Sequence, residues 1–174
     1  MDAVDNIYLV GLMGAGKTTV GKMLAKQTGK AFYDSDQEIK SRTGVSISHI
    51  FEVEGESGFR IRESAVLEEL TRLRDVVLAT GGGTILSKEN RSLLKENGTV
   101  IYLRASIGDL WARTRHDKNR PLLQTEDPHA RLAELFAVRD PLYREVADIV
   151  VDTSKQSVSS LVNHILQLIG KRKS

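Results

Sequence analysis

The sequence predicts an α/β fold: a three-layer sandwich with helices on both faces of a five-stranded parallel sheet. Three observations point there. Five brief apolar runs are bounded by turn residues, stretches with helical spacing separate them, and a glycine-rich loop joins the first run to the first helix. Parallel strands need crossover connections, and those are usually helices. A chain of 174 residues suits one well-packed core and is short for two, so a single domain spanning 1–174 is expected.

The first strand is Ile7 to Val10, followed by a helix from Lys17 to Gln27 that Thr28-Gly29 stops. Ala31 to Tyr33 forms the second strand. After it, Ser35-Asp36-Gln37-Glu38 has the spacing of a capping box, opening a helix that Gly44 closes. A longer helix is expected near Phe59 to Leu73, with Ile61, Val66, Leu67, Leu70 and Leu73 as its apolar stripe. Val76 to Ala79 is the third strand and Val100 to Leu103 the fourth, with a helix near Lys88 to Glu96 between them. Helices near Ile107 to Arg115 and Ala130 to Val138, a fifth strand at Ile149 to Val151 and a helix near Val158 to Ile169 complete the chain. Trp111 and Phe136 lie on helical apolar stripes and belong to the core. One connection is conspicuously polar, running from His116 to Pro128, and its length and charge suit a mobile lid over about 116–128.

Composition narrows the function. Hydrophobic residues make up 40% and charged residues 28%, as in soluble globular proteins, and no apolar run approaches the roughly 20 residues that span a bilayer. The first six residues are polar and acidic, the reverse of a secretory signal. The absence of cysteine excludes disulfides, thiolate zinc sites and cysteine nucleophiles, and it fits a reducing cytoplasm. A net charge of +2 is too small to imply a nucleic-acid partner, and Lys171-Arg172-Lys173 reads as a solvated terminal cluster. The four histidines show no metal-ligand spacing.

Gly11-x-x-x-x-Gly16-Lys17-Thr18, between a strand and a helix, is a complete phosphate-binding loop. Its N–H groups can curl around an anion at the positive end of the helix, Lys17 can reach the outer phosphates, and the Thr18 hydroxyl can ligate magnesium. The loop therefore holds a nucleoside triphosphate. Guanine-nucleotide switch motifs are missing, as is the strand-end Asp-Glu pair of mechanical ATPases. Asp152 ends the last strand but reads as a helix-capping residue.

In α/β sheets ligands collect at the carboxyl ends of the strands. There the second strand ends in Asp34-Ser35-Asp36. Asp34 can hold a water of the magnesium shell, and Asp36 can accept a hydrogen bond or a proton from a substrate hydroxyl. The third strand ends in Gly81-Gly82-Gly83, an entropic cost that implies close approach by another group. Arg60, Arg120 and Arg139 offer planar forks for carboxylate and phosphate, which together suggest a small anionic substrate.

These residues resemble the shikimate kinase family. The resemblance is carried, in order, by the phosphate loop, Phe-x-Asp-x-Asp at 32–36, Gly-Glu-x-x-Phe-Arg at 55–60, the triple glycine at 81–83, Arg-Pro-Leu-Leu at 120–123 and Arg-x-Pro-Leu-Tyr at 139–143. It implies a fold like that of nucleoside monophosphate kinases and transfer of the ATP γ-phosphate to the 3-hydroxyl of shikimate, a step of chorismate and aromatic amino-acid synthesis. It also implies nucleotide contacts from Gly14, Ala15, Gly16, Lys17, Thr18, Thr19, Arg113 and Arg120. Shikimate would be held by Asp36, Arg60, Gly81, Gly82, Gly83 and Arg139, within a helical region at about 35–62 and the strand-end loops. Lys17, Asp36 and Arg120 would be catalytic, with Asp36 the base, Thr18 and Asp34 (through water) would organise magnesium, and Glu63 would orient Arg60. Expected partners are shikimate and MgATP, with no nucleic acid and no membrane, acting on a cytoplasmic monomer. A gluconate or nucleoside monophosphate kinase could share the loop and lid, and a silent nucleotide-binding module is the alternative from another class.

Overall fold

A computed structural model describes residues 6–117, 120–154 and 156–173. Five strands, β1 (Ile7–Val10), β2 (Ala31–Asp34), β3 (Val76–Ala79), β4 (Thr99–Arg104) and β5 (Ile149–Asp152), form one parallel sheet in the order β2-β3-β1-β4-β5. The register pairs Leu9 with Ala79 on one side and with Ile101 on the other. The central strands β1 and β3 are buried at every residue, which is why they read as continuous apolar runs, whereas edge strand β5 alternates buried and exposed residues.

The helices are α1 (Lys17–Thr28), α2 (Ser35–Thr43), α3 (Ile47–Leu70), α4 (Lys88–Asn97), α5 (Ile107–Thr114), α6 (Pro128–Val146) and α7 (Val158–Lys173). The step from β1 to β2 and the step from β3 to β4 run in opposite directions along the sheet. Right-handed crossovers therefore place α1 on the face opposite to α4. The contacts agree: α1 packs against α7, and α4 against α6. This is the expected three-layer sandwich.

Local chemistry adjusts several sequence expectations. The cap of α2 is Asp34, whose Oδ1 accepts from the N–H groups of Asp36 at 3.0 Å and Gln37 at 3.1 Å, so the capping box starting at Ser35 does not form. An anionic acceptor at the positive end of the helix outcompetes a neighbouring hydroxyl. The long helix begins earlier than Phe59 and ends at Leu70, with one non-helical residue, Gly55, inside it at φ 75° and ψ 176°. Ile61 is 72% exposed and Leu73 37% exposed, so neither belongs to the core stripe. Ile61 lies five residues before Val66, about 140° around the helix at 100° per residue, while Leu73 falls beyond the helix end. Helix α6 continues through Pro141 to Val146, well past Val138. Asp152 does not cap α7; its Oδ1 accepts from Ser154 N at 2.8 Å, and Ser157 Oγ takes the N–H of Ser160 instead.

Asn6 ties the strand starts together at the opposite end of the sheet. Its buried amide donates to Leu73 O at 2.8 Å and to the Tyr8 hydroxyl, and its Oδ1 accepts from Val76 N at 3.1 Å. Among the described residues, no helix is long and apolar enough to cross a membrane.

Candidate active site

Two adjoining cavities, of about 300 and 320 Å³, open at the carboxyl ends of the strands. Met13, Asp36, Gln37, Gly81, Gly82 and Arg120 line both, so the two chambers meet at these residues.

The second chamber is built around the phosphate loop. Gly14 and Gly16 sit at φ 85° and φ 94°, the left-handed region that glycine alone enters freely. A Cβ on Gly14 would also lie 2.9 Å from Thr114 Cγ2. Gly16 caps α1 without a side chain, whereas α2 to α6 each begin at an Asp or Ser whose side chain accepts a backbone N–H. The first N–H groups of α1 are thus left for an anion, reinforced by the helix dipole. Gly14, Gly16, Lys17, Thr18, Thr19 and Arg113 line this chamber as expected. Ala15 does not: its side chain is buried in the core beneath the loop.

Lys17 folds back over its own loop, donating to Gly11 O at 2.6 Å and Leu12 O at 2.9 Å. Burial pushes its ammonium down to about 8, partly offset by Asp36. Thr18 Oγ1 donates to Asp34 Oδ2 at 2.8 Å, pairing two hard oxygen donors at the edge of the chamber. Arg113 reaches the loop through a 2.8 Å bond to Gly14 O.

The first chamber gathers Asp36, Arg60, Gly81, Gly82, Gly83, Arg120 and Arg139. Asp36 Oδ1 is buried and has no hydrogen-bond partner among the described residues. Burial, together with Glu63 and Asp34, raises its carboxyl to about 6. Arg60 Nη1 donates to Glu63 Oε1 at 3.0 Å, and Glu63 also accepts from Thr84 Oγ1 at 3.0 Å. Glu63 is buried on the α3 face that carries Phe59, Val66, Leu67 and Leu70, and desolvation raises its pKa. Arg139, 3% exposed, makes no ion pair with a carboxylate among the described residues, and burial lowers its pKa. Three arginines therefore line one chamber, and Arg139 alone of them forms no ion pair among the described residues.

The glycines at 81–83 are required for space, since none has a positive φ. A Cβ on Gly81 would press on Asp36 and Glu63, one on Gly82 would lie 3.4 Å from Arg139 Nη1, and one on Gly83 would overlap the Arg60 guanidinium. Ser35 Oγ accepts the Gly81 N–H at 3.0 Å, fixing this loop to the start of α2.

Sequence reasoning missed Ser35, Met13 and the aromatic wall of Phe51 and Phe59, whose rings lie 5.0 Å apart beside the first chamber. Phe59 was visible only as a member of the Gly-Glu-x-x-Phe-Arg motif at 55–60, with no role attached to its ring. Arg120 donates to Asp117 Oδ2 at 2.9 Å. Residues 118 and 119 of the expected lid lie outside the described residues.

A phosphate loop with an uncapped helix, opening onto a chamber that offers the Asp36 carboxylate and three arginines, defines a P-loop small-molecule kinase. The comparisons with known proteins are specific. The shikimate kinase family model matches residues 13–170. A shikimate kinase from Nitrosospira multiformis is 65% identical over 165 residues, covering 95% of this chain and 85% of that protein. One from Chromobacterium violaceum is 63% identical over 161 residues, covering 92% and 88%. The solved structure of shikimate kinase from Acinetobacter baumannii in complex with shikimate superposes with a TM-score of 0.96 at 53% identity, covering 98% of this chain and 95% of that one. The chain belongs to the shikimate kinase family and is an ATP-dependent phosphotransferase.

Proposed function

We propose that the chain carries out its family's reaction, moving the γ-phosphoryl group of ATP to the 3-hydroxyl of shikimate to give shikimate 3-phosphate and ADP, with the roles divided between the two chambers. The observation that carries this reading is their junction: Asp36, Gly81, Gly82 and Arg120 line both cavities. An acceptor in the first and a triphosphate in the second would thus present their reacting oxygens to the same side chains.

Arg139 and Arg60 grip the acceptor's carboxylate, and the chamber's surplus of positive charge is then balanced by the substrate. Asp36 accepts a hydrogen bond from the acceptor hydroxyl and takes its proton as the new O–P bond forms and the bond to the ADP oxygen breaks. Its raised pKa, about 6, makes it a better base than an ordinary aspartate and still leaves it ionised at neutral pH. Lys17 exchanges its bonds to Gly11 and Leu12 for phosphate oxygens. Arg120 leaves Asp117 as the 116–128 segment closes, neutralises the transferring group and helps to exclude water that would otherwise hydrolyse ATP.

Magnesium fits the donors present, because the Thr18 hydroxyl and the Asp34 carboxylate stand together beside the phosphate loop. When bound, the ion neutralises charge on the β- and γ-phosphates, with Thr18 as ligand and Asp34 holding one of its waters. Arg113 lies on the nucleotide side, where it would flank the base. The proposal extends to a single-domain monomer in the cytoplasm, a setting that the absence of cysteine fits.

The test is ADP release from MgATP by the purified protein with shikimate, gluconate, AMP, CMP or no acceptor. Release that depends on shikimate alone is expected. Equal release with gluconate or a nucleoside monophosphate would overturn the choice of acceptor.

A further inference from the structure

Tyr143 is wholly buried, yet its hydroxyl lies directly behind Gly82 and Arg139, two residues that line the acceptor chamber. It donates its proton to the carbonyl of Gly82, and it stands in the same corner as the guanidinium of Arg139, four residues earlier on α6, with which it interacts. One oxygen thus joins the buried arginine to the middle of the glycine loop, two elements that share no backbone connection. A Cβ on Gly82 would lie 3.7 Å from this hydroxyl and 3.4 Å from Arg139 Nη1, so all three groups crowd one corner.

The ring is held as firmly as the hydroxyl. It packs on Tyr102 with centroids 4.8 Å apart. Tyr102 in turn donates to Asp140 Oδ1 at 2.6 Å, and Asp140 is fixed by Arg104 at 3.2 Å and Arg144 at 3.0 Å. Arg139 itself has no carboxylate partner among the described residues. A buried, unpaired arginine has long rotatable bonds and a strong reason to swing toward water. The polar oxygen that stands beside its fork is the phenol's.

We propose that Tyr143 is a positioning residue for the acceptor: it fixes Arg139 against the Gly82 carbonyl so that carboxylate capture and the glycine loop that faces the acceptor share one geometry. The inference rests on the proposed reaction. It assigns the phenol to acceptor binding and leaves nucleotide binding and phosphoryl transfer to other groups, because Tyr143 lines neither cavity, Arg139 lines the acceptor chamber alone, and Gly82 stands at the junction.

The experiment compares steady-state ADP release by the wild type, Tyr143→Phe and Tyr102→Phe, with shikimate and MgATP varied in turn. Tyr143→Phe keeps the ring and removes only the oxygen, leaving the buried Gly82 carbonyl without its donor and the Arg139 guanidinium without the polar atom beside it. The expected result is a KM for shikimate raised about tenfold, with the KM for ATP unchanged and kcat within about twofold. Tyr102→Phe removes a hydroxyl that touches neither Arg139 nor Gly82, and it is expected to lower the melting temperature with both KM values unchanged.

Thermal unfolding with and without shikimate gives a second readout. The stabilisation by shikimate should shrink in Tyr143→Phe and persist in Tyr102→Phe. An unchanged KM for shikimate in Tyr143→Phe, or equal rises in both KM values or in both variants, would overturn the proposal, since each marks general loosening of the core. A wild type that releases no ADP with shikimate would instead defeat the reaction assignment itself, so the two failures are distinguishable.

Discussion

Asp36 and Glu63 face each other across Gly81: a Cβ on that glycine would lie 2.7 Å from Asp36 Oδ1 and 2.9 Å from Glu63 Oε2. The space that holds these two carboxylates apart is the space a side chain would need. Gly81→Ala is expected to fold, because the atoms in its way are side-chain ends rather than backbone. It should lower kcat/KM for shikimate by about a hundredfold, the cost of misplacing catalytic groups by roughly 1 Å. Paired measurements of the melting temperature and of ADP release check this. Full activity with an intact fold would show that neither carboxylate needs its present position.

The same carboxylate sets a pH dependence. Asp36 titrates at about 6 and must be ionised to accept a proton, and Lys17 titrates at about 8 and must be charged to hold phosphate. A profile of kcat/KM for the free enzyme should rise through about pH 6 and fall above about pH 8.

Stability should respond with the opposite sign. The folded pKa of Asp36 lies above its ordinary value of 3.8, so the folded state binds more protons in between and loses stability as pH rises through that window. Asp36→Asn cannot ionise. It should therefore be more stable than the wild type at pH 7.5, by about 3 kcal/mol, with the difference shrinking toward pH 4.5. Thermal unfolding of both proteins across this range checks it, and a difference independent of pH would refute the cause.

How much of this was legible in the sequence depended on how local each signal is. The phosphate loop and the strands announce themselves because glycine spacing and uninterrupted apolar runs are short-range patterns, and both appear where expected. Ile61 misled because an apolar residue near a stripe is not on it; Glu63, three residues before Val66 and four before Leu67, occupies the buried face. Ser35 looked like a helix cap because spacing cannot tell which of two adjacent oxygens wins the N–H groups. Its actual partner, Gly81 N, lies 46 positions away. Tyr143 was visible as part of a motif, but its bond to Gly82 spans 61 positions and depends on how α6 packs against the loop. Glu63, one helical turn from Arg60, could be read from the sequence as the group that orients it; the partners of Ser35 and Tyr143 could not.

The two half-buried arginines of the acceptor chamber, Arg60 and Arg120, should separate kinetically. Arg60 is held by Glu63 at 3.0 Å and Glu56 at 3.1 Å, so it is already placed for a bound carboxylate. Arg60→Ala should chiefly raise the KM for shikimate. Arg120, paired with Asp117 at 2.9 Å, reaches phosphate only after the lid moves. Arg120→Ala should lower kcat by about a thousandfold, as for arginines that neutralise a transferring phosphoryl group, with smaller effects on either KM. Steady-state kinetics on both variants decide it, and matching effects on both substrates would sink this division.

Asp34 carries two duties on two oxygens, and substitution can separate them. Oδ1 caps α2 through the N–H groups of Asp36 and Gln37, while Oδ2 accepts from Thr18 on the phosphate side. Asparagine also caps helices well, whereas alanine forfeits about 1 kcal/mol. Asp34→Asn should therefore keep the wild-type melting temperature yet need a higher magnesium concentration for half-maximal activity, because the charge that steadies a water of the ion's shell is gone. Asp34→Ala should show the same magnesium defect together with a lower melting temperature, and a poorer acceptor site as Asp36 loses its fixed backbone. Magnesium titrations of ADP release, run beside thermal unfolding of both variants, separate these effects. If Asp34→Asn titrates like the wild type, the carboxylate serves the helix alone, and the magnesium role falls to Thr18.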